Sequence, residues 1–160
     1  VDLYLVQHGE ARAEHEDPAR PLTERGRREV ERVAGAAARA GVRTARIAHS
    51  GKRRARETAE IFAAALDPPG GVVEIAGLGP NDDPGVAAQL AAGAAEPAML
   101  VGHLPHLGRL TSLLVLGDPA RELVAFRMGG VVCLGRDASG WRIRWILTPE
   151  LVPAELPEQR

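Results

Sequence analysis

Leu3-Tyr4-Leu5-Val6-Gln7-His8-Gly9-Glu10 is an apolar run that ends in a histidine and a glycine. Apolar at nearly every position, it predicts a strand over residues 2–7 covered on both faces, as in a central sheet of an α/β sandwich. Such a strand delivers His8 to the rim of the sheet, where α/β proteins keep ligands. One stretch of this kind more often leaves a histidine that merely follows a strand. The balance shifts because Ala98-Met99-Leu100-Val101-Gly102-His103 repeats the pattern far along the chain, broken soon after by Pro105. We therefore read His8 as a functional residue rather than one that merely follows a strand.

Length and composition set the frame for that reading. A chain of 160 residues predicts one domain over 1–160 with a sizeable core. Lys and Arg number 20 against 21 Asp and Glu, a net charge of −1, which argues against nucleic acid or a membrane surface as partner. Any basic site must be local. Cys133 is the only cysteine and lies in an apolar run, so no internal disulfide is possible and a reduced, cytoplasmic setting is expected. No charged leader precedes an apolar segment, and no stretch approaches the roughly 20 apolar residues of a bilayer span.

Taken in order, 10–19 reads as a loop, and Thr23 caps a helix carrying Val30, Val33, Ala34 and Ala37 on one face, ending near Gly41. A second strand over 46–50 leads to a helix with Ala55, Ala59, Phe62 and Leu66 in line, for which Ser50 is the expected cap. That places Arg54 in the first turn. A brief strand over 72–75, an Asp83-Pro84 helix start, the strand at 98–102 and a helix with Leu107, Leu110, Leu113 and Leu114 follow. Then the period falls to two, predicting strands at 123–128, 131–136 and 141–147. In the last, Trp141, Ile143 and Trp145 alternate with Arg142 and Arg144, as on an edge strand with one wet face. From Thr148 to the end, 148–160, a loosely held tail is expected. The fold class is a three-layer α/β/α sandwich with a central, mostly parallel sheet and an antiparallel C-terminal portion.

Three features of this order can converge. Strand ends at His8 and His103 and a helix N-terminus at 50–54 would share one side of the sheet, and free N–H groups at a helix start favour anions. Arg54 and Arg20 add guanidinium forks that match phosphate oxygens. Two histidines could divide the labour, one attacking phosphorus through a neutral ring nitrogen and the other donating hydrogen bonds to its oxygens.

These residues resemble the histidine phosphatase superfamily, with its Arg-His-Gly motif after the first strand, and most closely the small SixA-type phosphohistidine phosphatases. The resemblance runs from Asp2 to about Pro149. It is anchored on Gln7-His8-Gly9-Glu10-Ala11, on Arg20-Pro21-Leu22-Thr23, on Ser50 with Arg54-Ala55 and Thr58, and on Gly102-His103-Leu104-Pro105. It implies that His8 forms a phosphohistidine intermediate, that His103 is the second pocket histidine, and that Arg54 and Arg20 bind phosphoryl oxygens. The candidate site is thus His8, His103 and Arg54 as catalytic residues, with Gln7, Gly9, Arg20 and Ser50 binding substrate. Gln7 stands where the family motif has arginine, which keeps a donor but loses the charge and the fork.

The implied reaction is metal-independent removal of phosphate from phosphohistidine on a protein, releasing inorganic phosphate, in a phosphorelay. No cofactor is called for. The short segment between Arg54 and His103 offers no lid, and Asp82, Asp83 and Glu10 are acid candidates of which none stands out. A phosphorus–nitrogen bond asks less of an acid than an ester does. Small phosphate esters remain alternative substrates, and a catalytically weak phosphoprotein-binding module is the alternative that Gln7 keeps open. His15 and His106 are loop and helix-start residues with a minor claim on substrate, His49 is structural, and Lys52, Arg53 and Arg56 are expected on a solvated face. A metal site formed by Glu10, His8 and His103 would lack the clustered carboxylates and helical His pairs of metallohydrolases.

Overall fold

A computed structural model describes residues 1–154. The first strand, β1 (Asp2–Gln7), is central in a six-stranded sheet that also contains β2 (Arg46–His49), β3 (Val72–Glu74), β4 (Ala98–Gly102), β5 (Val131–Asp137) and β6 (Gly140–Leu147). Their spatial order is β3-β2-β4-β1-β5-β6. Contacts among β1 to β4 are parallel, whereas β5 runs antiparallel to both β1 and β6. The mostly parallel sheet with an antiparallel C-terminal portion is therefore present as expected.

Alternation along β1 builds the two cores. Tyr4 and Val6 pack with Val30, Val33 and Ala34 of α1 (Glu24–Arg39) and with Ala55, Ala59 and Phe62 of α2 (Arg53–Leu66). On the opposite face Leu3 and Leu5 meet Ala87 and Ala91 of α3 (Pro84–Ala92) and Leu107 and Leu110 of α4 (His106–Leu116). Among the described residues no helix is long and apolar enough to cross a membrane. Thr23 caps α1 as its sequence predicts, its hydroxyl accepting from the Gly26 N–H at 2.9 Å. Asp83 caps α3 in the same manner through the Gly85 N–H.

Three expectations need correction. The segment 123–128 forms no strand. The period of two in 123–128 reports one-sided packing of Val124 and Phe126 on the α3/α4 core, without pairing to any strand. In β6, Trp141 and Ile143 face that same core but Trp145 and Leu147 face the other. A register shift opposite Cys133 and Leu134 pairs Leu134 with Ile143 and Cys133 with Trp145, so Arg144 is the extra residue of a β-bulge that turns the strand over. Its guanidinium donates to Asp2 at 2.7 Å. Finally, 148–154 is not loosely held. Pro149–Leu151 forms a 3-10 helix, Pro149 is buried, and Val152 belongs to the α1/α2 core. The rest of the expected tail, 155–160, lies outside the described residues.

The turn after β1 is pressed against α1 by two glycines. A Cβ on Gly26 would sit 2.9 Å from the Glu10 backbone nitrogen and nearer still to its carbonyl oxygen, and one on Gly9 would lie 2.7 Å from Val30 Cγ2. Helix propensity alone favours alanine over Gly26 by about 1 kcal/mol. The clash is with backbone that cannot rotate away, so overpacking should win. Gly26→Ala is expected to lower stability by about 2 kcal/mol, read as a lower urea midpoint. An equal or higher midpoint would mean that the two backbones are free to separate.

Candidate functional site

His8 leaves the end of β1, and its backbone N–H continues the ladder by donating to the Gly102 carbonyl at 3.0 Å. Since His103 follows Gly102 directly, this pairing brings the two histidines side by side. Their ring centroids are 5.1 Å apart with planes inclined at 49°. Both are buried, at 9% and 1% exposure. The two apolar runs thus converge at the carboxyl ends of adjacent parallel strands.

A hydrogen bond fixes the protonation of the first ring. His8 Nδ1 lies 2.7 Å from the Gly9 carbonyl oxygen, which can only accept, so Nδ1 carries the proton and Nε2 keeps its lone pair. Burial pulls the pKa of His8 down to about 4; the Gly9 bond opposes this, and the charges of Arg54 and Arg20 add to it. His103 is pulled down to about 3, first by burial and then by His8, Arg54, Lys52 and His106. At neutral pH both rings are uncharged.

Arg54 enters from the first turn of α2. Of the run at 52–56, Lys52, Arg53 and Arg56 are exposed while Arg54 turns inward. Arg53 pairs with Glu57 and Arg56 with Glu60, as on a solvated helix face. The Arg54 Nε is buried without a partner, and burial together with the Arg20 charge lowers the pKa of its guanidinium. A buried donor with nothing to donate to is expensive unless a ligand completes it. Arg20 reaches the site from a turn in which it adopts φ 48°, a left-handed conformation uncommon for a residue with a side chain. Its Nε donates to the Arg12 carbonyl at 3.1 Å.

Thr58 ties these parts together, a role that the sequence did not reveal beyond its place among the anchors. Its hydroxyl donates to the Arg54 carbonyl at 2.8 Å and accepts from the Gly9 N–H at 3.0 Å. The signal available was its spacing of four from Arg54, on the same inward stripe as Ala55. A second unforeseen support comes from the loop after α4, where the Gly129 N–H donates to the Gln7 carbonyl at 2.9 Å.

Ser50 does not cap α2. Lys52 occupies that position without a side-chain bond, and the Ser50 hydroxyl lies instead 2.6 Å from His103 Nε2. The chain makes a turn between β2 and α2 that keeps Ser50 at the strand end; His49 braces this turn by accepting the Gly51 N–H on Nδ1. Gln7 sits beside His8 with its Oε1 buried and unpartnered.

The acid candidates are occupied elsewhere. Glu10 accepts from the Thr23 hydroxyl at 2.8 Å, Asp82 from the Gly79 N–H and Asp83 from the Gly85 N–H. His15 is exposed in its loop, whereas His106 is fully buried at the start of α4. Among the described residues no three His, Cys, Asp or Glu side chains gather as a metal-binding group. What the geometry offers is an imidazole lone pair and a second imidazole, with two guanidinium groups close enough to perturb the first, an arrangement suited to an electrophile that carries several anionic oxygens.

Comparison with known proteins gives this arrangement a context. The family model of the histidine phosphatase superfamily (branch 1) matches residues 3–78. An uncharacterized protein of Picosynechococcus sp. strain PCC 7002 is 35% identical over 147 residues, covering 87% of each chain. Among solved structures, the protein histidine phosphatase SixA complexed with tungstate superposes with a TM-score of 0.82 at 24% identity, over 94% of this chain and 99% of that one. The candidate phosphohistidine phosphatase SixA from Agrobacterium tumefaciens has a TM-score of 0.73 at 26% identity, over 92% and 97%.

Proposed function

The chain belongs to the histidine phosphatase superfamily, and we propose that it removes phosphate from phosphohistidine on another protein, without a metal, by passing the phosphoryl group through His8. The observation that carries this reading is the hydrogen bond from His8 Nδ1 to the Gly9 carbonyl, which leaves Nε2 as an unprotonated nucleophile beside Arg54. The likeness to a SixA that binds tungstate, a tetrahedral oxyanion, supports a phosphoryl ligand for the same pocket.

The steps follow from that one proton. The Nε2 lone pair attacks phosphorus, and the substrate phosphorus–nitrogen bond breaks with its electron pair going to the leaving ring. A substrate imidazole protonated on its far nitrogen departs neutral, so the pocket needs no carboxylic acid. This suits a site whose three acid candidates are all engaged in turns and caps. Phosphorylated His8 keeps its Nδ1 proton on the Gly9 carbonyl; when water attacks phosphorus, His8 leaves as a neutral imidazole and phosphate is released. Arg54 and Arg20 donate to the equatorial oxygens, and His103 adds a neutral donor.

The test is phosphate release from a phosphohistidine protein by the purified chain in excess chelator. Sustained turnover supports the reading. Tight binding of the phosphoprotein without turnover would assign a binding module, and rapid turnover of small phosphate esters alone would move the substrate class.

Gln7 is the specific observation behind the binding-module alternative. Its amide can offer one neutral donor where an arginine would bring a charged fork. Gln7→Arg is expected to tighten binding of inorganic phosphate by about tenfold, the difference between a neutral and a charge-assisted bond. Calorimetric titration measures it, and unchanged or weaker binding would remove this account of Gln7.

A further inference from the structure

Ser50 and His103 make the shortest contact in the site, Oγ to Nε2 at 2.6 Å, and the direction of that hydrogen bond can be read from the other side of the ring. His103 Nδ1 is buried and has no partner. Were the Ser50 hydroxyl the donor, the imidazole proton would sit on Nδ1, a buried N–H with nothing to accept it. With Nε2 as donor, Nδ1 is left as a bare acceptor. Orphaned buried N–H groups are the rarer of the two. Ser50 Oγ already serves as an acceptor on its other side, for the Lys52 N–H at 3.4 Å.

We propose that Ser50 is a positioning residue that holds His103 in its Nε2–H tautomer, opposite to the tautomer that the Gly9 carbonyl imposes on His8. A lone pair on one ring and an N–H on the other are then presented by two rings whose centroids lie 5.1 Å apart. Ser50 Oγ supplies an acceptor oxygen to His103 Nε2. When phosphate binds, His103 redirects or shares a proton it already has, and no tautomer exchange is needed. The inference deepens the phosphatase reading and rests on it for its catalytic consequence only.

Nitrogen NMR of the imidazole rings in the full chain at neutral pH tests the tautomers directly. The expected spectrum shows His103 protonated at Nε2 and His8 at Nδ1. In Ser50→Ala the His103 resonances should become those of a tautomer mixture, with kcat down by about ten- to a hundredfold and KM changed much less. Ser50→Thr, which keeps the hydroxyl, should restore both. A wild-type His103 protonated at Nδ1 overturns the proposal, as does Ser50→Ala with unaltered tautomer and kcat. Should the wild-type protein hydrolyse nothing, the phosphatase reading fails while the tautomer measurement still decides this one.

Discussion

His8→Ala is expected to abolish phosphate release and to leave the protein folded. In covalent catalysis one difficult displacement is split into two easier ones, and without the imidazole neither half exists. Water would have to attack the substrate directly, with Arg54 and Arg20 still in place for its oxygens under the proposed mechanism. Losses on removing a nucleophile are large, and kcat should fall by on the order of 10⁴-fold or more. A second signature accompanies it. Quenching the wild-type protein during turnover should yield acid-labile, base-stable phosphate on the His8 peptide, and the variant should yield none. The fold should survive because the backbone partners of this position, the Gly102 carbonyl and the Gly129 N–H, do not involve the side chain. Residual turnover within tenfold of wild type, or label on any other residue, would displace His8 from the centre of the mechanism.

The residues that proved legible in the sequence are those whose neighbours are local. Both apolar runs fixed a buried parallel strand and the exit of a histidine from it, since burial on two faces leaves a continuous hydrophobic signature. Arg54 could be aimed inward because Ala55, Ala59 and Phe62 define the buried stripe of α2. What escaped the sequence depends on pairing across the chain. Ser50 has the chemistry of a helix cap, and only the register that sets β2 beside β4 shows that it meets His103 instead. The bulge at Arg144 reverses the faces of Trp141 and Trp145, a change that simple alternation cannot signal. For 123–128 the alternation was real and its cause misassigned, because a period of two records which side is covered and says nothing about the partner. Thr58 shows the same limit: its bond to the Arg54 carbonyl follows from a spacing of four, but the one it accepts from the Gly9 N–H crosses the chain, and no local pattern announces it.

Acid should destabilise this protein once pH falls below about 6.5, through its buried histidines. His8 and His103 are held neutral in the fold, down to about 4 and about 3, chiefly by burial. In the unfolded chain each takes up a proton near about pH 6.5. Between those limits the unfolded state binds more protons than the native one, so stability rises with pH and is lost as pH falls from about 6.5 toward about 4. For His8 alone the difference amounts to about 3 kcal/mol, with His103 adding to it by the same sign. His49 and His106, also shifted down by burial, act in the same direction, so the pair must be isolated by comparison. Urea unfolding of the wild type and of the double variant His8→Gln, His103→Gln, at neutral pH and at about pH 4.5, provides that comparison. The wild type should lose several kcal/mol more than the double variant across this step. Saturating phosphate should reduce the loss, because an anion between the rings makes a proton on either one less costly. Equal losses in the two proteins would mean that the imidazoles are hydrated in solution, and with that the dry, preorganised pocket on which His8 relies for its free lone pair would be gone.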